Sequence, residues 1–171
     1  MDVKITVALL ASFVSFMGLL ISKELKVSEF RQAWIDKLRD HVSEVISKSS
    51  LLLQSWISIT HTQMRPGLEA EFFEKNADLL REICFSVSKA KLSLNPDKDK
   101  RMITSLENIN SIIKEPSKLG ELSEAVIELE MVSHKTFKVE WDRVKVGEPF
   151  YRISKWLVGF LVLMLVIYTV L

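Results

Sequence analysis

The feature that most constrains this chain is the absence of charge near both of its ends. Residues 156–171 read WLVGFLVLMLVIYTVL, residues 5–22 read ITVALLASFVSFMGLLIS, and neither stretch holds Asp, Glu, Lys or Arg. A backbone amide without a partner costs several kcal/mol in hydrocarbon, so a stretch that enters a bilayer must be helical. Sixteen helical residues rise about 24 Å and eighteen about 27 Å, against a hydrocarbon core of about 30 Å. We therefore predict an N-terminal transmembrane anchor in 1–22 and a C-terminal transmembrane helix in 151–171, with Tyr151, Lys155 and Trp156 at the membrane edge.

Each end also has a rival interpretation. The C-terminal stretch could be a helix buried in a soluble core, and the N-terminal stretch could be a secretory signal peptide. A signal peptide needs a positively charged start and a cleavage site between small residues. Only Lys4 supplies the charge, and no such site follows 18–21, which favours an uncleaved anchor.

The distribution of cations predicts the orientation. Ten cations lie between the two apolar stretches and within twenty residues of one of them: Lys23, Lys26, Arg31, Lys37, Arg39, Lys138, Arg143, Lys145, Arg152 and Lys155. Only Lys4 lies outside them. Because cytoplasmic flanks carry the excess of Lys and Arg, this predicts a cytoplasmic domain at 23–150 between two short ends on the far side.

Proline and glycine divide the middle of the chain into helices. All four prolines and three of the five glycines fall at joints near 66, 96, 116–120 and 147–149, and no long stretch alternates apolar and polar residues. We predict an all-α fold with helices at about 28–61, 66–92, 97–114 and 117–145, the first continuous with the anchor and Asp97 capping the third. Two antiparallel hairpins then form a four-helix, coiled-coil-like bundle whose long first and fourth helices lie side by side. Gly147-Glu148-Pro149 is predicted to be an elbow before the last helix.

Small residues recur at helical spacing in the anchor, which indicates a possible packing face in the membrane. They are Ala8, Ala11, Ser12, Ser15 and Gly18. Small residues let another helix approach closely in lipid. The helix could belong to the same chain or to another subunit, and incidental small residues in a leucine-rich span are the alternative.

Composition and motifs offer little chemistry. The 23 Lys plus Arg balance 22 Asp plus Glu, which argues against a dedicated nucleic-acid binder, and the lone Cys84 cannot form an intramolecular disulfide. The three histidines are far apart and match no metal-binding spacing, and no glycine-rich phosphate loop is present. We therefore predict no catalytic, cofactor-binding or metal-binding residue, and no enzyme.

Two segments rich in charge and tryptophan lie next to the predicted membrane. They suggest a membrane-proximal collar, which we assign to Phe30, Arg31, Trp34, Arg39, Trp141 and Arg143. Either Trp34 and Trp141 are buried between the first and fourth helices with charges paired around them, or the segments bind lipid headgroups or a partner. The patterns SEFRQxWIxxLR at 28–39, LxLNP at 92–96 and EWxRVKxGE at 140–148 resemble a family of uncharacterised small bacterial membrane proteins. The resemblance implies a bacterial inner-membrane protein with a cytoplasmic helical domain, and it implies no catalytic residue.

The sequence thus predicts an integral membrane protein that presents a helical bundle for self-association or for docking a partner. Its expected partners are the lipid bilayer, further copies of itself and an unidentified protein. A membrane-perturbing or pore-forming effector is one alternative, weakened because the two uncharged runs offer no charged residue to line a pore, although Thr6, Ser12, Ser15 and Thr169 are polar. A membrane-bound enzyme is the other.

Overall fold

The computed structural model describes residues 3–62, 65–146, 156, 158–160, 162, 164 and 167, without the side chains of 3–7, 9, 10, 62 and 146. The predicted elbow at 147–149, the lead-in at 151–155 and much of the C-terminal stretch lie outside this description. Within the described residues there is no β-strand, which fits the predicted all-α class. The elements are α1 (Val3–Thr62), α2 (Leu68–Lys75), α3 (Ala77–Leu92), α4 (Lys100–Ile112), a 3₁₀ turn (Pro116–Glu121) and α5 (Leu122–Val146).

The contacts divide the chain into two compact units. The bundle unit is Trp34–Glu140, and the terminal unit comprises Met1–Ala33 with Trp141–Leu171. The predicted central domain at 23–150 therefore has its compact part at 34–140.

Among the described residues, no helix combines the length and the apolar character needed to cross a membrane. The structure therefore does not support the two predicted membrane spans, which stay predictions.

Helix α1 is long because its sequence contains no proline and a single glycine, Gly18. The prediction that the first soluble helix continues from the N-terminal apolar segment without a break is confirmed. After α1, the backbone N–H of Leu68 donates to the carbonyl of Arg65 across a type II turn, in which Gly67 has φ 84°. This left-handed conformation suits glycine, and Pro66 fits the preceding position.

In the terminal unit, partial burial along α1 follows a heptad pattern. Apart from Ser28, the half-buried residues between 11 and 33 form a seam with alternating steps of four and three, composed of Phe13, Met17, Leu20, Glu24, Val27 and Arg31. This 3.5-residue spacing is typical of coiled-coil packing.

In the bundle unit, one apolar core joins all the helices. Its largest fully buried side chains include Phe72, Leu38, Leu52, Ile83, Met102, Leu106, Ile109, Leu119 and Leu122. The ring of Phe72 packs edge-on against Trp56 of α1, with centroids 5.0 Å apart. The cation of Arg39 lies 5.4 Å from the ring centroid of Phe137, so α1 and α5 are neighbours here, as predicted for the first and fourth helices.

Three predicted boundaries are wrong, each for a local reason. The helix expected at 66–92 is broken at Asn76, where the side-chain Nδ2 and the backbone N–H both donate to the carbonyl of Phe72, at 2.8 and 3.0 Å. The helix expected from 117 begins as the 3₁₀ turn that contains Gly120, and α proper starts at Leu122. Asp97 does not cap α4, because Asp99 occupies the N-cap position.

The turn between α3 and α4 is built by two side chains. Asn95 Oδ1 accepts hydrogen bonds from the backbone N–H groups of Asp97 and Lys98 at 2.9 and 3.2 Å. Asp99 Oδ2 in turn accepts from the backbone N–H of Asn95 at 2.8 Å. The indole Nε1 of Trp34 donates to the carbonyl of Ser93 at 2.7 Å, so this turn lies beside the first residue of the bundle unit.

We predict that Ser49→Ala stabilises the bundle. Ser49 is fully buried, and its hydroxyl has no hydrogen-bond partner among the described residues. Leaving such a group unsatisfied costs about 1–3 kcal/mol, so the free energy of unfolding should rise by roughly that amount. Urea titration of the full chain in detergent would measure it. Ser50→Ala is the matched control, since Ser50 is exposed and should give only the few tenths that helix propensity supplies; equal effects of the two changes would contradict the assignment.

Candidate functional site

The bundle unit has a groove between α1 and α5. Its volume is about 510 Å³, which falls within the range of about 300–1,000 Å³ for ligand pockets. Its lining combines apolar and polar side chains: Val42, Ile46 and Phe137 with Arg39, Ser43, Ser47, Glu130, Ser133 and His134. The two helices run antiparallel, so Arg39 lies level with Phe137, and Ile46 lies level with Glu130.

The polar side chains of the groove have few strong hydrogen-bond or ion-pair partners. Arg39 Nη1 forms an exposed ion pair with Asp36 at 3.2 Å, and His134 Nε2 lies 3.8 Å from Glu130 Oε1. The hydroxyl of the buried Ser133 donates to the carbonyl of Leu129. Exposed pairs of this kind contribute little stability and exchange readily for other partners. The groove can therefore bind apolar side chains on its floor and polar groups at its rim, and it holds no base–nucleophile pair.

A second cluster of polar side chains links α1 to α3. The buried hydroxyl of Ser86 donates to Glu44 Oε2 at 2.7 Å, and Lys48 Nζ lies 3.8 Å from Glu44 and 3.5 Å from Glu82. The hydrogen bond from Ser86 is the largest cause that lowers the pKa of the Glu44 carboxyl. Burial opposes it as the next largest effect, and the charges of Lys48, Lys89 and His41 lower this pKa further. Because Ser86 is inaccessible to solvent, this arrangement is a structural contact between helices.

This contact predicts a pH dependence of stability. A carboxyl whose pKa is lower in the folded chain stabilises the fold above its unfolded pKa, and the stabilisation is lost as the pH falls through the folded pKa. The bundle should therefore lose stability below about pH 4.5. In Ser86→Ala the loss should become shallower, because the largest cause of the shift is gone. Unfolding midpoints measured across this pH range would check it, with Ser88→Ala on the exposed face of α3 as the control; identical slopes for both variants would contradict the role of Ser86.

The predicted collar residues are distributed over both units. In the bundle unit, Trp34 is half-buried against Ser93, and Arg39 lies at the groove. In the terminal unit, Phe30 is 73% exposed, and Trp141 is 39% exposed with Lys145 Nζ 5.6 Å from its ring centroid. Arg31 is half-buried and Arg143 exposed, and both have interaction partners. Trp141 is thus not buried, contrary to the packed version of the collar.

The predicted small-residue face lies on α1 in the terminal unit. Ala8, Ala11, Ser12, Ser15 and Gly18 are all exposed, and a Cβ added at Gly18 would meet no described atom within 4 Å. At about 100° per residue these positions are centred on the side of the helix opposite the heptad seam. Ser15 Oγ donates to the carbonyl of Ala11, so its hydroxyl is satisfied within the helix.

Sequence reasoning missed the groove apart from Arg39. Val42, Ile46 and Phe137 are apolar residues of two predicted helices and carry no further signal, and the polar rim residues follow no motif. Such a rim can be recognised only after the pairing of α1 with α5 is known, as polar residues that flank the apolar faces of these two helices.

In the part of the chain that the structure describes, no group of three or more His, Cys, Asp or Glu side chains could hold a metal ion. Comparisons with protein-family models, with curated proteins and with solved structures found no match to this chain. The resemblance to small bacterial membrane proteins therefore stays a prediction from the sequence patterns.

Proposed function

We propose that this chain is an integral inner-membrane protein of a bacterium whose two apolar ends span the bilayer and whose helical bundle lies in the cytoplasm. Its role is structural: it self-associates and presents the bundle to a partner. The observation that carries the proposal is the run of eighteen uncharged residues at 5–22, which belongs to the same helix as the bundle core. The resemblance to bacterial two-span proteins supports the location.

The exposure of apolar side chains in α1 supports a lipid surrounding. Val14, Phe16 and Leu19 are 67%, 57% and 69% exposed, and they project from different sides of the helix. A helix that is apolar on several sides needs an apolar environment around it. Lipid provides one at this position, and the cations that begin at Lys23 mark its cytoplasmic limit.

The topology has a direct test. Alkaline carbonate should leave the full chain in the membrane pellet, and alkaline phosphatase fused after Leu171 should be active, because that enzyme works only outside the cytoplasm. Release of the chain into the supernatant would overturn the membrane proposal. An inactive phosphatase together with a fluorescent green protein fusion would overturn the orientation alone.

The small-residue face supports self-association in the bilayer. It lies opposite the half-buried seam, so a helix that covers the seam leaves it accessible. In lipid, close helix packing rather than the hydrophobic effect drives association, and small side chains permit it. The partner helix on this face is then supplied by a second copy of the chain.

Disulfide crosslinking distinguishes the two sides of α1. In a Cys84→Ser background, Ser15→Cys on the small-residue face should give a crosslinked dimer in native membranes, and Met17→Cys on the seam should not. Preferential crosslinking of Met17→Cys would place the subunit contact on the seam. Absence of a dimer band from both variants at every oxidant dose would count against self-association.

The groove between α1 and α5 supports the partner-docking part of the proposal. A photo-crosslinking amino acid at Ser43, on the rim, should form adducts with another protein in cells, and the same group at exposed Lys75 is the matched control. Equal adduct yields at the two positions would contradict docking in the groove.

A further inference from the structure

We propose that the bundle unit forms a self-association contact of its own, in which the outer face of α1 packs in parallel against the same face of another copy. This uncharged face consists of Ser47, Ser50, Gln54, Ile57 and His61. The proposal rests on the proposed function, because two copies that enter one membrane in the same direction keep their α1 helices parallel. It assigns a partner to a surface of the bundle unit.

The exposed side of α1 carries no charge between residues 45 and 61. The exposed residues in this range are all uncharged: Ser47, Ser50, Leu51, Gln54, Ile57, Ser58 and His61. Lys48 is half-buried and forms an ion pair with Glu82 of α3. In contrast, the exposed residues of α3 include Asp78, and those of α5 include Glu128. Depletion of charged residues is the compositional mark of the core of an interface.

The residues of the uncharged face also have the spacing of packed helices. From Ser47 to His61 they follow one another in alternating steps of three and four, as the contact positions of a coiled coil do. The face is about 21 Å long. Val45 and Leu52 are buried on the opposite side of α1, so the uncharged face points away from the core of its own bundle. A second helix can therefore contact it along its whole length.

The side chains on and beside this face suit a helix–helix contact. Ile57 is 45% exposed, and Leu51, which flanks the face, is 57% exposed, so both have apolar area left to bury. Ser47 and Ser50 are small enough to let a second helix approach closely. The amide of Gln54 has both donors and an acceptor, so two copies of it can hydrogen-bond to each other. Confinement to one membrane raises the effective concentration of the copies, which favours a contact of this modest size.

The absence of charge identifies a second copy of the chain as the partner. In a two-fold symmetric contact the same surface of both molecules meets, so a residue near the axis faces its own counterpart. A charged residue at such a position would repel that counterpart. The surface for a different protein has no such restriction, because opposite charges can be matched across it. The uncharged face therefore meets the condition that a parallel self-contact imposes.

Disulfide formation at position 47 tests the contact. In a Cys84→Ser background, the full chain carrying Ser47→Cys should form a disulfide-linked dimer in native membranes, because parallel packing places residue 47 opposite its counterpart. Ser88→Cys, at an exposed position of α3, is the matched control and should stay monomeric. Equal dimer yields from the two variants would overturn the proposal. A dimer that forms only between a Ser47→Cys chain and a His61→Cys chain would overturn the parallel arrangement.

Charges introduced at position 54 test whether the face meets its own copy. Gln54→Lys or Gln54→Glu, each added to the Ser47→Cys chain, should lower the dimer yield at least about tenfold, because like charges then face each other. Co-expression of the two charged variants with different tags should restore a mixed dimer. Gln54 is exposed, and lysine and glutamate are good helix formers, so circular dichroism should show an unchanged fold. Undiminished yields from the single variants, or no mixed dimer from the pair, would overturn the proposal.

Comparison with the crosslink at position 15 separates failure of this contact from failure of the proposed function. If Ser15→Cys gives a dimer and Ser47→Cys does not, the copies associate without the uncharged face, and only the contact between bundle units is refuted. If neither variant gives a dimer at any oxidant dose, self-association as a whole is refuted. Release of the chain by alkaline carbonate would refute the membrane location on which the parallel arrangement depends.

Discussion

Phe72→Ala should destabilise the bundle by about 3–5 kcal/mol, the cost of removing a fully buried phenylalanine. Phe72 is 1% exposed, and its ring packs edge-on against Trp56 at 5.0 Å and Phe73 at 6.3 Å. The change removes contacts that join α1 to α2 and leaves a cavity between them. Since a domain has a total stability of about 5–15 kcal/mol, the variant should unfold at a much lower urea concentration, as followed by tryptophan fluorescence in detergent.

The control for this prediction is Phe85→Ala. Phe85 is 61% exposed and contacts only the cation of Lys89 at 4.3 Å among the ring interactions described. Its removal should cost less than about 1 kcal/mol, the value of an exposed cation–π contact. Similar losses in the two variants would show that Phe72 does not hold the core together.

Val14→Arg should prevent the N-terminal segment from crossing the membrane. Val14 is at the centre of the uncharged run 5–22 and is 67% exposed. Arginine at the centre of a span costs about 2.5–3.5 kcal/mol on insertion scales, so the ratio of inserted to uninserted chain should fall about 100-fold. A protease added outside intact spheroplasts should cut an epitope tag placed before Met1 in the parent chain and leave it intact in the variant.

Val139→Arg provides the matched substitution. Val139 is on α5 in the bundle unit and is 58% exposed, so the same change there meets water and should leave the tag accessible. If Val14→Arg also left the tag fully cleaved, the N-terminal segment would not be a span.

Some of the fold could be predicted because it depends on local chemistry. The 60-residue α1 follows from the absence of proline, and its end follows from Pro66-Gly67, whose turn needs a positive φ. These features require only periodicity and backbone stereochemistry, which the sequence displays directly.

Other features depend on which hydrogen-bonding groups pair in the folded chain, and the sequence does not show these pairings. The break lies at Asn76, whose side chain shares the carbonyl of Phe72 with its own backbone N–H, while asparagine elsewhere is tolerated inside a helix, as at Asn108 in α4. Asp99 occupies the N-cap position of α4. Asn95 Oδ1 instead accepts hydrogen bonds from the backbone N–H groups of Asp97 and Lys98, which lie before the helix. The groove and the contact between Glu44 and Ser86 both join residues that are far apart in sequence, so only the packed helices bring them together.

The two charged residues within the heptad seam of α1 restrict how that seam can be aligned. Slippage by seven residues would carry Glu24 to the level of Met17 in one direction and to the level of Arg31 in the other. In the first case the carboxylate of Glu24 would face the residues that pack against the thioether of Met17. In the second it would face the residues that surround the cation of Arg31, so the charge at that level would change sign. Stranding a charge in a partly dry interface costs several kcal/mol. An all-apolar seam could slide without penalty, whereas this one has a single favourable alignment.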